Sequence, residues 1–205
     1  LELVKRLWSG DVVNHDSDTC RLDNVRMNLK PVQQPHPPIW FAANNDRAIR
    51  RAAQMGDNWF INPHSTMTTI ERQLDVYRDE LAVAGKAFPE ELPCMREIFC
   101  AKDRRTAIEM AGPYLSGKYR DYALWGQDNA MPDDESFDKE LDKLTEDRFI
   151  LGSPQECYEQ IAGLAERIGF NHLLLRTDWA GMPLRVAMHS LQLISSGLLP
   201  ELKRL

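Results

Sequence analysis

The chain has 205 residues, 43% of them hydrophobic, so it can bury a substantial core and is expected to form one domain. Its formal net charge of -6 leaves no excess of basic residues to neutralise a phosphate backbone, which disfavours nucleic acid as a partner. No apolar run approaches the roughly 18 residues of a membrane span and no signal peptide is visible, so we expect a cytoplasmic protein with no membrane partner.

Cysteine and histidine spacing argues against a metal site. The four cysteines (Cys20, Cys94, Cys100 and Cys157) form no C-x-x-C pair, which favours buried thiols in a reducing compartment. The five histidines show no H-x-x-x-H or H-E-x-x-H spacing, and neither a G-x-S-x-G elbow nor a G-x-x-x-x-G-K loop is present. Metal, serine-hydrolase and NTPase chemistry are therefore disfavoured.

The first residues, "LELVKRLWSGD", open inside an amphipathic pattern. Leu3, Val4, Leu7 and Trp8 fall on one helical face, and Gly10 ends the predicted helix. Because a native amino terminus more often begins with a disordered or capped segment, this pattern predicts that an upstream part of the domain is missing.

Residues 12–30 alternate in short runs typical of an exposed hairpin. The prolines between positions 31 and 38 then enforce an extended lead-in. The five apolar residues "IWFAA" at 39–43 predict a strand covered on both faces, as in a parallel sheet. A helix follows from Asp46, taken as its cap, to Gly56.

Further strands and helices alternate after this unit. "NWFI" at 58–61 predicts a second buried strand, a helix is expected over 68–85, and "MREIFCA" at 95–101 predicts a third strand. The next segment reads as a helix interrupted by Gly112 and Pro113.

The last third of the chain completes the pattern. Residues 126–136, including "DDES" at 133–136, are expected to form a polar, solvated surface loop. The turn "LGSPQE" leads into a helix capped by Ser153, with Pro154 in its first turn and Gly169 as its stop. A final strand is predicted over 172–177 and a closing helix over 183–199.

Four alternations of strand and helix predict right-handed crossovers and a parallel sheet. Such units fit half of an eight-stranded barrel, and they also fit a small doubly wound sheet. The second arrangement predicts a strand at the start of the chain, where the sequence predicts a helix instead.

Three segments taken together resemble a known family: "KPVQQPHPPIWFAANNDRAIRRAAQMGDNWF", "RFILGSPQECYEQIAGLAERIGFNHLLLRTDWAGMP" and "SLQLISSGLLPELKRL". Their order is similar to the carboxy-terminal part of the bacterial luciferase-like family of flavin- or deazaflavin-dependent oxidoreductases. The resemblance implies an α/β fold, a luciferase-like (β/α)8 TIM barrel that is incomplete here because its first strands are missing. It also implies one domain over 1–205, with a hairpin insertion near 12–30 and a helical insertion near 103–147.

Candidate site residues follow the predicted strands, because the carboxyl ends of barrel strands form the functional face. Asn44 and Asn45 lie where the first strand meets a helix start, which favours a bound anion, and the small Ala43 allows close approach. The resemblance implies that this loop contacts the phosphate end of the flavin and that Asn62 lies near its ring system. Arg176 ends the last strand, where a cation would face the cleft. For all three asparagines a simple turn role is the alternative, and for Arg176 a surface salt bridge.

The resemblance implies a monooxygenase that uses reduced FMN on a small organic substrate, supplied by a flavin reductase or another source of reduced cofactor. Hydride transfer with cofactor F420 is the alternative within the enzyme class. A non-catalytic, flavin-binding or oligomerising half-barrel is the alternative from another class, and a homo-oligomer is expected. No catalytic acid or base is assigned, since such residues are expected on the missing early strands.

Overall fold

The computed structural model describes residues 1–132 and 135–204. The chain divides into two compact units, Leu1–Ile39 and Trp40–Leu205. The prediction that residues 1–205 form one domain stays a prediction. In the described residues no helix combines the length and apolarity that a membrane crossing needs.

The first unit is a helix followed by a hairpin. Helix α1 spans Glu2–Ser9 and ends at Gly10, whose φ of 81° is the left-handed geometry that glycine adopts without strain. Strands β1 (Val13–Ser17) and β2 (Cys20–Val25) pair antiparallel. The predictions of a helix here and of a hairpin near 12–30 are therefore confirmed.

Five strands of the second unit run parallel wherever they pair. β3 pairs with β4, a bridge from Ile61 to Cys94 links the end of β4 to β5, and β5 pairs with both β6 and β7. Among the described residues these strands do not close into a barrel. The strands are β3 (Trp40–Ala42), β4 (Asn58–Phe60), β5 (Pro93–Cys100), β6 (Phe149–Gly152) and β7 (His172–Arg176). The parallel arrangement predicted from the alternation of elements is confirmed.

Helices connect these strands, so the unit is an α/β fold. Their order along the chain confirms the predicted helices after β3, β4, β5 and β7 and the one before β7. They are α2 (Asp46–Met55), α3 (Met67–Val83), α4 (Arg104–Leu124), α5 (Leu141–Thr145), α6 (Pro154–Ile168), α7 (Leu184–Leu193) and α8 (Leu199–Leu202). The predicted closing helix is divided, because a π-helical turn at Ile194–Leu198 separates α7 from α8.

Burial falls from the centre of the strand array to its edges. All but one residue of β5 are buried, whereas in β3 Trp40 and Phe41 are half-buried and Ala42 is exposed. The prediction that residues 39–43 are covered on both faces is therefore wrong. Within the described residues β3 pairs with β4 alone, so no strand covers its other edge.

Two further expectations about elements are wrong. α4 continues without interruption through Gly112 and Pro113. Pro113 removes one backbone N–H from a helix of 21 residues, and Gly112 lets Leu141 approach so closely that an added Cβ would lie 2.6 Å from its Cδ2. The second error is β6, a strand that was not predicted and whose last two residues, Leu151 and Gly152, belong to the predicted turn at 151–156.

Candidate functional site

A cleft of about 380 Å³ lies at the carboxyl ends of β3 and β4. Because the two strands are parallel neighbours, the loops that follow them meet at the same edge. The residues that line the cleft come from these loops, from the first turn of α2 and from the segment after α4. They are Ala42, Ala43, Asn44, Asn45, Ala48, Asn62, His64 and Ala130.

Asn45 is the N-cap of α2. Its Oδ1 accepts a hydrogen bond of 3.0 Å from the Ala48 N–H, and its Nδ2 donates to the Ala130 carbonyl at 2.9 Å. The prediction that Asp46 caps this helix is therefore wrong. Asp46 is the first helical residue and forms a bidentate ion pair with Arg72, at 2.8 and 3.0 Å, which lowers the pKa of the Asp46 carboxyl. Asn45 is the cap because its extended backbone directs its side chain towards the N–H groups of the first helical turn, which have no partner within the helix.

Asn44 has a different environment. Its carbonyl accepts a hydrogen bond of 2.8 Å from Gln73 Nε2, which fixes the backbone of the loop. Trp59 Nε1 donates to the neighbouring Ala43 carbonyl at 3.2 Å. The side-chain amide of Asn44 makes no hydrogen bond within the described part of the chain and lines the cleft. Asn44 is thus a polar group that the loop holds in place and leaves available.

Asn62 shapes the second loop. Its Oδ1 accepts a hydrogen bond of 3.2 Å from the His64 N–H, two residues on, and its Nδ2 donates to the Ala43 carbonyl at 3.4 Å. This is the turn role that the sequence left open, combined with a place in the cleft wall.

Arg176 is exposed at the carboxyl end of β7 and is not among the cleft-lining residues. Its Nε donates to the Asp178 carbonyl at 3.2 Å. The structure therefore brings Ala43 and the three asparagines together in one cleft and leaves Arg176 outside its lining.

His64 lines the same cleft and is a site residue that was not predicted from the sequence. Its Nδ1 lies 3.3 Å from the hydroxyl oxygen of Tyr119. Burial and the positive charge of Lys118 lower the pKa of His64 to about 4. Its place two residues after Asn62, just past the end of β4, is the signal that could have identified it.

Behind His64 lies a buried polar cluster centred on Glu97 of β5. Tyr119 donates to Glu97 Oε2 at 2.9 Å, Trp179 Nε1 donates to Oε1 at 3.0 Å, and Lys118 forms an ion pair with Oε1. Burial lowers the pKa of Lys118, and burial beside Glu97 raises the pKa of Tyr119. The signal in the sequence was a pair of charged residues, Arg96 and Glu97, inside a strand that is otherwise largely apolar, because buried charges require partners.

A second buried ion pair joins Glu135 to Arg148. Glu135 Oε1 also accepts hydrogen bonds from the N–H and hydroxyl of Thr66, at 2.7 and 2.6 Å, and Arg148 Nε donates to the His64 carbonyl at 3.0 Å. The expectation of a solvated loop at 133–136 is therefore wrong for Glu135, while residues 133 and 134 lie outside the described residues. The pair ties the segment before α5 to the start of α3.

Among the described residues no three His, Cys, Asp or Glu side chains are grouped so as to hold a metal ion. The prediction that the protein has no metal site stays a prediction. Of the four cysteines, Cys94, Cys100 and Cys157 are buried, Cys20 is half-buried, and all four are free thiols.

Residues 1–172 match the family described as luciferase-like monooxygenase. The chain belongs to this family. The uncharacterized protein y4wF of Sinorhizobium fredii is 24% identical over 202 residues, which cover 97% of this chain and 58% of that protein. The FMNH2-dependent dimethylsulfone monooxygenase of Pseudomonas putida is 29% identical over 87 residues, which cover 42% of this chain and 24% of that enzyme.

Part of each of two solved structures shares the α/β fold of this luciferase-like chain. The monooxygenase RslO1 from Streptomyces bottropensis matches with a TM-score of 0.74 and 23% identity, over 98% of this chain and 59% of its own. An F420-dependent secondary alcohol dehydrogenase in complex with an F420-acetone adduct matches with a TM-score of 0.70 and 15% identity, over 95% and 58%. The chain thus spans a little under three fifths of the y4wF protein and of these two structures, and less of the dimethylsulfone monooxygenase. The family includes FMN-dependent and F420-dependent members.

Proposed function

We propose that this luciferase-like protein is a monooxygenase that uses reduced FMN to oxidise a small organic substrate. When bound, reduced flavin supplies the electrons that activate molecular oxygen, one atom of which goes to the substrate and the other to water. The part of the protein in this chain holds the anionic end of the cofactor. The polar groups that act on the flavin ring are expected on other strands of the complete protein.

The observation that carries the proposal is the side-chain amide of Asn44 at the carboxyl end of β3, which has no hydrogen-bond partner among the described residues and lies in a cleft that also includes the first turn of α2. A helix start carries a partial positive charge and free backbone N–H groups, and this is a common site for phosphate. α2 has 10 residues, and Asn45 satisfies the N–H of Ala48 but not those of Asp46 and Arg47 within the described residues.

The cleft fits a phosphate in two further respects. Ala42 and Ala43 place little side-chain bulk beside the loop, so an anion can approach the backbone. The carboxylate of Asp46, which would repel a phosphate, is neutralised by its bidentate pair with Arg72. Asn44 is therefore the residue to which we assign direct phosphate contact, with Asn45 and Asn62 shaping the loops on either side.

Binding of FMN and riboflavin tests this assignment, because riboflavin lacks the phosphate. In the protein expressed with its natural flanking sequence, Asn44→Leu should weaken FMN binding about ten-fold, from the lost charge-assisted hydrogen bond, and leave riboflavin binding unchanged. Asn28→Leu, at an exposed asparagine outside the cleft lining, is the matched control. If Asn44→Leu weakens the binding of FMN and riboflavin equally, or leaves FMN binding unchanged, Asn44 does not contact the phosphate.

A charge change at the helix cap provides a second arm of this experiment. Asn45→Asp keeps a side chain that caps helices as well as asparagine does, but it replaces the Nδ2 that donates to the Ala130 carbonyl, so we expect a stability loss of about 1–2 kcal/mol, which urea unfolding measures separately. The new carboxylate would repel a phosphate, and FMN affinity should fall while riboflavin affinity stays constant. Unchanged FMN affinity in this variant would contradict an anion beside α2.

Hydride transfer with F420 is the second candidate, supported by the structural match to an F420-dependent dehydrogenase. The same cleft would hold the phosphate of either cofactor, so the two functions differ in whether oxygen is consumed. Ultraviolet-visible spectra with each cofactor, together with oxygen uptake, decide between them.

For the whole protein, the proposal also includes a cytoplasmic location, assembly as a homo-oligomer and a reductase that supplies reduced FMN.

A further inference from the structure

A chain of hydrogen bonds runs from the cleft into the core. His64 Nδ1 lies 3.3 Å from the Tyr119 hydroxyl oxygen, which in turn lies 2.9 Å from Glu97 Oε2. His64 lines the cleft at one end, while Tyr119 and Glu97 are fully buried at the other. The chain therefore connects a group that a ligand can reach to a carboxylate that it cannot.

The direction of these bonds follows from the number of protons available. A tyrosine hydroxyl has one proton to donate. The Tyr119 hydroxyl donates to Glu97 Oε2, while Glu97 Oε1 accepts from Trp179 Nε1 and pairs with Lys118. The Tyr119 hydroxyl therefore donates its one hydrogen bond to Glu97, and the Tyr119 oxygen is left to accept a hydrogen bond from the His64 Nδ1–H.

The charges around His64 keep its ring neutral. Cationic groups reach it from three elements: Arg96 beside Glu97 on β5, Lys118 on α4 and Arg176 at the end of β7, with Glu97 as the opposing anion. Burial and these cations hold the pKa of His64 at about 4. A neutral ring with its proton on Nδ1 leaves a lone pair on Nε2, which has no hydrogen bond within the described part of the chain.

We propose that His64 presents an unprotonated Nε2 to the cleft as a hydrogen-bond acceptor for a hydroxyl or ring N–H of the bound ligand. Tyr119 and Glu97 are positioning residues that fix this tautomer. The ligand assignment rests on the proposed function: the cofactor bound beside Asn44 combines an anionic end with hydroxyl and ring N–H donors, and FMN has both. The tautomer of His64 does not depend on that function.

Nitrogen-15 NMR of the ligand-free protein, labelled at histidine, tests the tautomer directly. The His64 resonances, identified by their loss in His64→Gln, should show a protonated Nδ1 and an unprotonated Nε2 at pH 7. Tyr119→Phe removes the acceptor for Nδ1–H, so the proton should move towards Nε2, the more usual tautomer in solution. Tyr114→Phe, in the same helix and without a hydrogen bond from its hydroxyl in the described residues, is the matched control. A wild-type signal from protonated Nε2 overturns the proposal whether or not the variants fold.

Binding of FMN tests the role in the cleft. His64→Gln and Tyr119→Phe should each weaken FMN binding roughly five-fold, the effect of one neutral hydrogen bond, and Tyr114→Phe should leave it unchanged. The double variant should lose no more FMN affinity than either single variant, because both changes remove the same hydrogen-bond acceptor. Correct tautomer signals with unchanged FMN affinity in both single variants would overturn the ligand assignment alone. A protein that binds no FMN refutes the proposed function and the ligand assignment with it, while the NMR result still decides the tautomer.

Discussion

At the scale of single residues, the paired asparagines after β3 divide two tasks between them. Asn45 uses its oxygen on the Ala48 N–H and its amide on the Ala130 carbonyl, so it stabilises the start of α2 and the wall of the cleft. Asn44 is held through its backbone by Gln73 and keeps its side chain available. Two adjacent amides thus give one structural residue and one residue that can bind a ligand.

The buried pair of Glu135 with Arg148 predicts how stability depends on pH. Burial raises the pKa of Glu135, but hydrogen bonds from Thr66 and the Arg148 guanidinium outweigh it, and the net pKa is lowered from its usual value of 4.5. A lowered folded-state pKa contributes stability above the unfolded pKa, and that contribution is lost as the pH falls through the folded value. Glu135→Gln should therefore cost about 3 kcal/mol at pH 7 and progressively less below pH ~4.5.

Urea unfolding at several pH values measures this difference. Glu166→Gln, at an exposed position of α6, is the control and should change the free energy of unfolding by less than about 0.5 kcal/mol at every pH. A Glu135→Gln penalty that stayed constant from pH 7 to pH 3.5 would show that the carboxylate charge is not its source.

Sequence reasoning identified the residues whose position along a strand is enough to place them. Asn44, Asn45 and Asn62 could be located because each follows a predicted strand. His64 and Glu97 carry local signals, a position just past β4 and a charge inside β5, but the roles of His64, Glu97 and Glu135 could not be predicted. Those roles depend on partners that are distant along the chain, such as Thr66, which is 69 residues from Glu135. A pattern within a short window contains no information about such pairs.

At the scale of elements, the junction of β6 and α6 shows where local sequence signals are strong and where they fail. α6 was predicted with its cap because Ser153 and Glu156 form a capping box around Pro154. β6 was missed because its four residues end in Gly152, which indicates a turn. In the structure Gly152 ends a strand that is fully buried and paired with β5.

Two glycines near this junction should respond oppositely to alanine. Gly152 has a φ of 153°, and an added Cβ would lie 2.7 Å from the Cβ of Glu156, so Gly152→Ala should destabilise the protein by about 2 kcal/mol or more. Gly163 lies inside α6 with no atom within 4 Å of an added Cβ, so Gly163→Ala should stabilise it by up to about 1 kcal/mol.

Thermal and urea unfolding of both variants, with wild type measured beside them, check the two signs together. Equal tolerance of alanine at the two positions would contradict the tight packing of Gly152 against α6. Because both changes add a single methyl group, side-chain chemistry cannot account for a difference in sign.

At the scale of the whole molecule, the parallel strands form an array with unpaired edges. Within the described residues β3 pairs with β4 alone and β7 with β5 alone, and the three leucines of β7 remain half-buried. Alternation of apolar strands with helices was enough to predict the parallel order. It could not decide between a doubly wound sheet and part of a barrel, because edge strands and central strands of this kind have similar apolar sequences.

These edges predict that the 205-residue chain associates with itself. An edge strand presents a row of unpaired N–H and C=O groups, and half-buried leucines beside it gain burial when a second chain covers them. Leu173 and Leu175 pack against the apolar cluster under α6, whereas Leu174 belongs to none of the described clusters. Leu174→Lys should therefore reduce association without removing core contacts, since a charged side chain at the edge opposes pairing with another chain.

Light scattering during size-exclusion chromatography, at increasing protein concentration, measures the association. The mass of the wild-type chain should rise above 23.6 kDa, and that of Leu174→Lys should stay nearer to this value. Leu124→Lys makes the same change at an exposed leucine of α4, 77% accessible, and should leave the association intact. The β7 edge would be excluded as the contact if the wild-type chain remained monomeric at every concentration. It would also be excluded if both variants lost association to the same extent. Because Leu124→Lys changes the net charge by the same amount as Leu174→Lys, only a contact at β7 accounts for a difference between the two.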